Sequence, residues 1–158
     1  MSICGFQPYM CISAESGGAK KAIAWYKSVF SAQVKCALVS EHDPEKIGHA
    51  ELAFGNSNIM ISDAFPQMGR KTPDLLGGTP ITLVLSMPGM SKQAFEKAVA
   101  EGAKVPENSD YKEQPWGWMA GTIIDPFGYQ WMVGEDAKGW SNEETAANLG
   151  MKDIASEF

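Results

Sequence analysis

Arginine, histidine and cysteine are all scarce: among 158 residues there is one arginine (Arg70), two histidines (His42, His49) and three cysteines (Cys4, Cys11, Cys36). An odd cysteine count with no CxxC pair argues against a disulfide framework or a zinc knuckle, and fits a reducing cytoplasm. No apolar run approaches the ~20 residues of a bilayer span. The start, Met1-Ser2-Ile3-Cys4-Gly5-Phe6, lacks the basic region and apolar core of a secretory signal. Basic residues are also outnumbered, 13 against 19 acidic, for a net charge of −6. Such a surface repels nucleic acid and anionic lipid, and no basic cluster interrupts it, so neither is expected as a partner. With a single arginine, bidentate grip on an anion falls to Arg70, to lysines or to backbone amides, which disfavours a highly anionic ligand. There is no GxSxG elbow, no glycine-rich phosphate loop, no HExxH helix and no local Cys–His pair.

What is present is a repeat. A helical stretch running into Phe30-Ser31-Ala32-Gln33-Val34 is echoed by one running into Glu101-Gly102-Ala103-Lys104-Val105. Strand pairs around Glu51–Phe54 and Asn58–Ile61 are echoed around Thr122–Asp125 and Gln130–Val133. An offset of about seventy residues is too long for a solenoid repeat and suits one supersecondary unit. A strand, a helix and three strands cannot cover their own apolar sheet face, so two copies are expected to close on each other around a shared cavity.

The order of elements follows from periodicity. Gln7 to Ala14 alternates as a strand, with Pro8, Met10, Ile12 and Ala14 on one face and Gln7, Tyr9, Cys11 and Ser13 on the other. After Gly17-Gly18, apolar residues at Ala22, Ile23, Tyr26, Val29 and Phe30 predict an amphipathic helix. Gln33 to Val39 reads as a strand, Ser40 to Gly48 as a polar connection, and His49–Phe54 with Asn58–Ser62 as a hairpin. Ala64 to Gly78 has no clean period and is expected to be a linker loop. Pro80 to Met87 is the next strand. Ser91 is placed to cap a helix whose apolar face carries Phe95, Ala98 and Val99, and Gly102 ends it. An irregular run, Glu107 to Trp116, leads to strands at Trp118–Ile124 and Tyr129–Val133, joined by the turn Asp125-Pro126-Phe127-Gly128. Ser141-x-x-Glu144 is a capping box for a terminal helix. The expected class is α+β: two βαβββ modules (about 6–63 and 79–135), a linker at about 64–78 and an extension at 136–158, forming one domain.

Several of these segments resemble the PhnB-like branch of the vicinal oxygen chelate superfamily. They are Ala22-Ile23-Ala24-Trp25-Tyr26-Lys27-Ser28-Val29-Phe30-Ser31-Ala32, His49-Ala50-Glu51-Leu52, Ile59-Met60-Ile61-Ser62-Asp63, Trp116-Gly117 and Asp125-Pro126-Phe127-Gly128-Tyr129-Gln130-Trp131. The resemblance spans roughly residues 6 to 135. It implies the paired-module, glyoxalase-like fold and, commonly, a homodimer. It also implies where a metal would sit: His or Gln on the first strand, Glu on the fourth, His on the fifth, Glu on the eighth. Here those positions fall on Gln7, Met60, Thr82 and Met132, with Tyr9 the alternative on the first strand. A thioether has no charge and little affinity for hard cations. The cavity is therefore expected to be metal-free, with no cofactor.

His49 and Glu51 stand two apart on one strand, hence on one face, and form a candidate acid/base pair or a two-point grip on a polar ligand. The bland alternative is a solvated strand edge. As a metal site the pair lacks further strong donors in its local sequence. Tyr9, Met60, Trp116, Trp118, Gln130 and Met132, with Gln7 and Thr82, are the candidate cavity lining, an adaptable surface for a planar or hydrophobic small molecule; ordinary core packing is the competing reading for each. Trp25 and Trp131 read as structural. The function expected is a metal-independent small-molecule-binding homodimer. The alternatives are an enzyme of the superfamily (a metal-dependent isomerase, lyase or dioxygenase, or acid/base chemistry by His49 and Glu51) and a scaffold with a vestigial cavity.

Overall fold

The computed structural model describes residues 5–157, so Cys4 lies outside the described residues. Contacts divide the chain into two units: residues up to Pro80 with Pro126–Tyr129, and Ile81–Asp125 with Gln130 onward. In the first, β1 (Tyr9–Ile12), α1 (Gly18–Phe30), β2 (Gln33–Ser40), β3 (Asp43–Phe54) and β4 (Ser57–Asp63) form a sheet in the order β1-β4-β3-β2. The short α2 (Pro73–Leu76) follows. In the second, β5 (Thr82–Ser86), α3 (Ser91–Ala100), β6 (Lys112–Glu113), β7 (Trp118–Ile124) and β8 (Gln130–Asp136) form a sheet in the order β5-β8-β7-β6, with α4 (Asn142–Leu149) after it. In both sheets the first and last strands pair in parallel and the hairpins are antiparallel. The class is α+β, built from two βαβββ modules.

Each sheet buries one face under its helix. In the first unit Met10, Ile12, Ala50, Leu52 and Ile61 meet Ala22, Ile23, Tyr26, Val29 and Phe30 of α1, all nearly inaccessible. The two-residue period of the strands then sends Tyr9, His49, Glu51 and Met60 to the opposite face. In the second unit Ile123, Trp131 and Val133 are buried, and Phe95 and Ala98 of α3 with them.

The duplication extends to how each helix start is held. Asp63, at the end of β4, accepts hydrogen bonds from the Ala19 amide of α1 (2.9 Å) and the Ile47 amide of β3 (2.7 Å). Glu135, in β8, accepts from the Gly89 amide just before α3 and from the Ser91 hydroxyl (2.8 Å). A carboxylate from a neighbouring strand thus anchors the start of each helix: Asp63 satisfies a free first-turn amide of α1, and Glu135 ties down the residues leading into α3. The Gly89 amide first, then Ser91 and Tyr111, hold the Glu135 carboxyl below its ordinary pKa. A depressed carboxyl stabilises the fold above its unfolded pKa of roughly 4.3 and loses that contribution as pH falls through the lower folded value. Glu135→Gln is therefore expected to melt below the wild type at neutral pH, with the gap narrowing in acid. Melting curves showing a pH-independent gap would refute that assignment.

Four expectations change. The polar stretch Ser40–Gly48 is mostly strand: Asp43 begins β3, and the pairs Val39↔Ile47 and Ser40↔Asp43 continue the hairpin through two irregularities. Its loop-like composition reflects exposure of most of its side chains, not absence of pairing. Ser91 is the first helical residue of α3 and not its cap. Its hydroxyl bonds Tyr111 Oη (2.6 Å) and Glu135, and among the described residues no side chain caps α3. Val99 is 41% exposed, and Ala94 takes its place on the buried face. The linker contains a 3₁₀ turn at Pro66–Met68 and α2. The capping box forms as read, with Ser141 and Glu144 bonded reciprocally.

Candidate functional site

The open face of the first sheet gathers most of the reactive side chains. Register sets Tyr9 beside Met60, Met60 beside Glu51, and Glu51 beside Cys36 on β2. His49, two residues before Glu51, projects the same way. Its Nε2 is 3.6 Å from Glu51 Oε1, and its Nδ1 is 3.4 Å from Tyr9 Oη. Both acidic and imidazole side chains are about one-third exposed (34% and 30%), open to a solute yet held by rigid strands. The two-apart spacing of His49 and Glu51 therefore does bring them together.

Arg70 completes one end of this row. Its guanidinium lies 4.0 Å from the centre of the Tyr9 ring, a cation–π contact. A hydrogen bond with Tyr9 raises its pKa further, so it stays cationic. A cavity of about 350 Å³ is lined by Tyr9, Cys11, Arg70, Lys71 and Tyr129. Tyr129 fixes its wall, since its hydroxyl accepts from the Cys11 amide and donates to the Cys11 carbonyl, both at 2.9 Å. Sequence reading named Arg70 as the one bidentate anion donor but had no means of placing it over Tyr9.

The remaining candidates, Gln7 apart, belong to the second unit. Met132 and Trp116 line one pocket of about 220 Å³ with Gln114 and Thr122. Gln130 Nε2 donates to Thr82 Oγ1 at 2.6 Å, so those two are each other's partners. Trp118 is half-buried at the far end of β7, paired with Asp136, and does not line that pocket. Gln7 is exposed just before β1. Trp25 and Trp131 are buried as expected, and Trp131 Nε1 donates to Asp125 Oδ2 at 2.8 Å.

The residue that sequence reading missed is Cys36. One ligand atom each from Cys36, His49 and Glu51 lie within 4.8 Å of one another. The signal was the pairing of β2 with β3, in which an irregularity between Val34 and Cys36 shifts the cysteine onto Glu51.

Register also relates the four positions that the resemblance singles out. Met60 and Met132 each stand three residues before the carboxylate, Asp63 or Glu135, that holds the helix start. Their parallel-strand partners are Tyr9 and Val84, and Gln7 and Thr82 each lie two residues earlier.

Among the described residues no helix is long and apolar enough to cross a membrane. No family model matches the chain. It is 35% identical over 134 residues to the uncharacterized protein Mb0911c of Mycobacterium bovis, covering 83% of this chain and 85% of that one. Among solved structures it is similar to FosX, the fosfomycin resistance protein of Listeria monocytogenes complexed with Mn(II) and sulfate (12% identity, TM-score 0.63, 94% of this chain and 99% of that one). It is also similar to a PhnB protein from Bacillus cereus (14% identity, TM-score 0.57, 82% and 98%). At such identities these two structures speak to fold alone. The chain thus belongs to one family with the uncharacterized mycobacterial protein, and its duplicated βαβββ modules give it the fold of these solved structures; its motifs resemble the PhnB-like branch of the vicinal oxygen chelate superfamily.

Proposed function

We propose that this chain is a small-molecule-binding homodimer whose ligand is not held through a metal at the superfamily's four positions. One observation carries the reading: thioethers, Met60 and Met132, stand at the places equivalent to each other in the two modules where the resemblance implies glutamates. Manganese, present in the Listeria FosX structure, is a hard ion that takes carboxylate, carbonyl or water oxygen. Gln7 and Thr82 supply neutral oxygens, and neither restores the missing charge. What the first unit offers instead is the Tyr9 and Tyr129 rings and the Arg70 and Lys71 cations around an open cavity. This lining suits a small molecule with an aromatic or apolar body and one anionic group.

The test uses Cys36→Ser, which removes the thiol of the separate cluster discussed below. That variant is incubated with Mn(II), Fe(II) or Ni(II), desalted and assayed for bound metal. Substoichiometric retention is expected; one ion per chain would overturn the reading. Sedimentation of the same sample is expected to give twice the chain mass, and a single-chain mass would remove the dimer.

A second reading, acid/base catalysis by His49 and Glu51, is favoured by their 3.6 Å contact. An ion bound through the imidazole would exclude it, which the experiment in the next subsection decides.

A further inference from the structure

We infer that Cys36, His49 and Glu51 form a binding site for a zinc-like divalent ion on the open face of the first sheet. This goes beyond the reading above, which concerns Gln7, Met60, Thr82 and Met132 only, and it uses none of those residues.

The donor set has the chemistry such an ion selects. A thiolate, an imidazole nitrogen and a carboxylate oxygen are ordinary zinc ligands, and thiolate disfavours magnesium, calcium and manganese. The geometry is close to that required. Bond lengths of ~2.0 Å to nitrogen or oxygen and ~2.3 Å to sulfur at tetrahedral angles put ligand atoms roughly 3.3–3.6 Å apart. His49 Nε2 and Glu51 Oε1 are 3.6 Å apart, and one ligand atom each from Cys36, His49 and Glu51 lie within 4.8 Å of one another. The donors come from two paired strands, so their backbone spacing is fixed before any ion arrives. A side-chain rotation of the half-buried Cys36 closes the remaining distance.

Electrostatics points the same way. Three Lewis bases converge here, and among the described residues no lysine or arginine forms an ion pair with Glu51, which lies instead beside the His49 ring. Lone pairs on Nε2 and Oε1 facing each other at this separation repel unless a proton or a cation stands between them. Tyr9 supplies the outer contact that metal-bound histidines use. If His49 Nδ1–H donates to the Tyr9 hydroxyl, Nε2 keeps its lone pair for the ion. Tyr9 is thus a positioning residue. On binding, the Cys36 thiol loses its proton to solvent, and thiolate plus carboxylate balance the 2+ charge. The fourth coordination position faces outward, where water or a ligand donor can occupy it.

The test takes the full chain, strips it with a chelator, adds one equivalent of Zn(II) or Co(II), and desalts it. One ion per chain is expected, with a thiolate-to-cobalt charge-transfer band in the near ultraviolet. Cys36→Ser is expected to abolish the band. His49→Ala is expected to weaken zinc binding at least about tenfold, the smallest loss typical even for an outer partner of a ligand. Tyr9→Phe should keep the band and weaken binding less. Cys11→Ser, with its thiol outside the cluster, should leave zinc retention and the cobalt band unchanged. Circular dichroism establishes that each variant is folded. Absence of retention in the wild type overturns the inference, as does a band that survives Cys36→Ser. Retention of Mn(II) in the Cys36→Ser protein would instead strike the proposed function and leave this site standing.

Discussion

Asp63→Ala is expected to lower the unfolding free energy by about 3 kcal/mol, from two hydrogen bonds to a charged acceptor that contribute roughly 1.5–3 kcal/mol each before partial rehydration. Asp63 is 8% exposed, and it joins the start of α1 to the Ile47 amide of β3. Removing it leaves two amides without an acceptor, one of them at the positive end of a helix dipole. For a chain of this size the melting temperature should fall by about 6–12 °C. Asp63→Asn, which retains a neutral acceptor, should lose less. Thermal melts in which alanine costs under ~2 °C would mean that water replaces the carboxylate, and the joint would not be structural.

Tyr26→Ala is expected to cost about 4 kcal/mol, within the range for truncating a large buried aromatic. Tyr26 is fully buried on α1. Its ring meets Trp25 edge-on at 5.4 Å, stacks on Phe30 at 6.3 Å and tilts against Phe127 at 5.9 Å. Alanine would remove one partner from these pairs and from the edge-on contact with Phe54 at 6.3 Å, and leave a cavity the rigid rings cannot collapse into. Tyr26→Phe separates ring from hydroxyl and should retain most of the stability. The urea midpoint is the readout. A loss below ~1.5 kcal/mol for alanine would show that the cluster repacks, contrary to its predicted rigidity.

How far the sequence was legible depends on whether each feature is local. The helix over Gly18–Phe30 and the alternation through Tyr9–Ile12 were readable because their periods lie within a dozen residues. The turn Asp125-Pro126-Phe127-Gly128 was readable too, and Gly128 indeed has a positive φ of 88°. Its other duties were not. Phe127 enters the first unit's aromatic cluster 6.3 Å from Trp25, Asp125 accepts from Trp131, and a Cβ on Gly128 would stand 2.7 Å from Pro73. The Ser40–Gly48 error has a related origin. Lysine, glutamate and proline look like a loop, yet an exposed hairpin tolerates them when its backbone is paired.

The candidate site divides in the same way. His49 and Glu51 share a face by strand parity alone, and Met60 and Met132 occupy equivalent places by duplication alone. Those facts were present in the order of residues, because parity and repetition need no partner. That Cys36 meets His49 and Glu51, that Arg70 lies on Tyr9, and that Tyr129 grips Cys11 were decided only by the folded chain. Cross-strand register and loop return are set by which irregular pairings satisfy the most backbone groups while burying the apolar face, a balance struck between segments tens of residues apart.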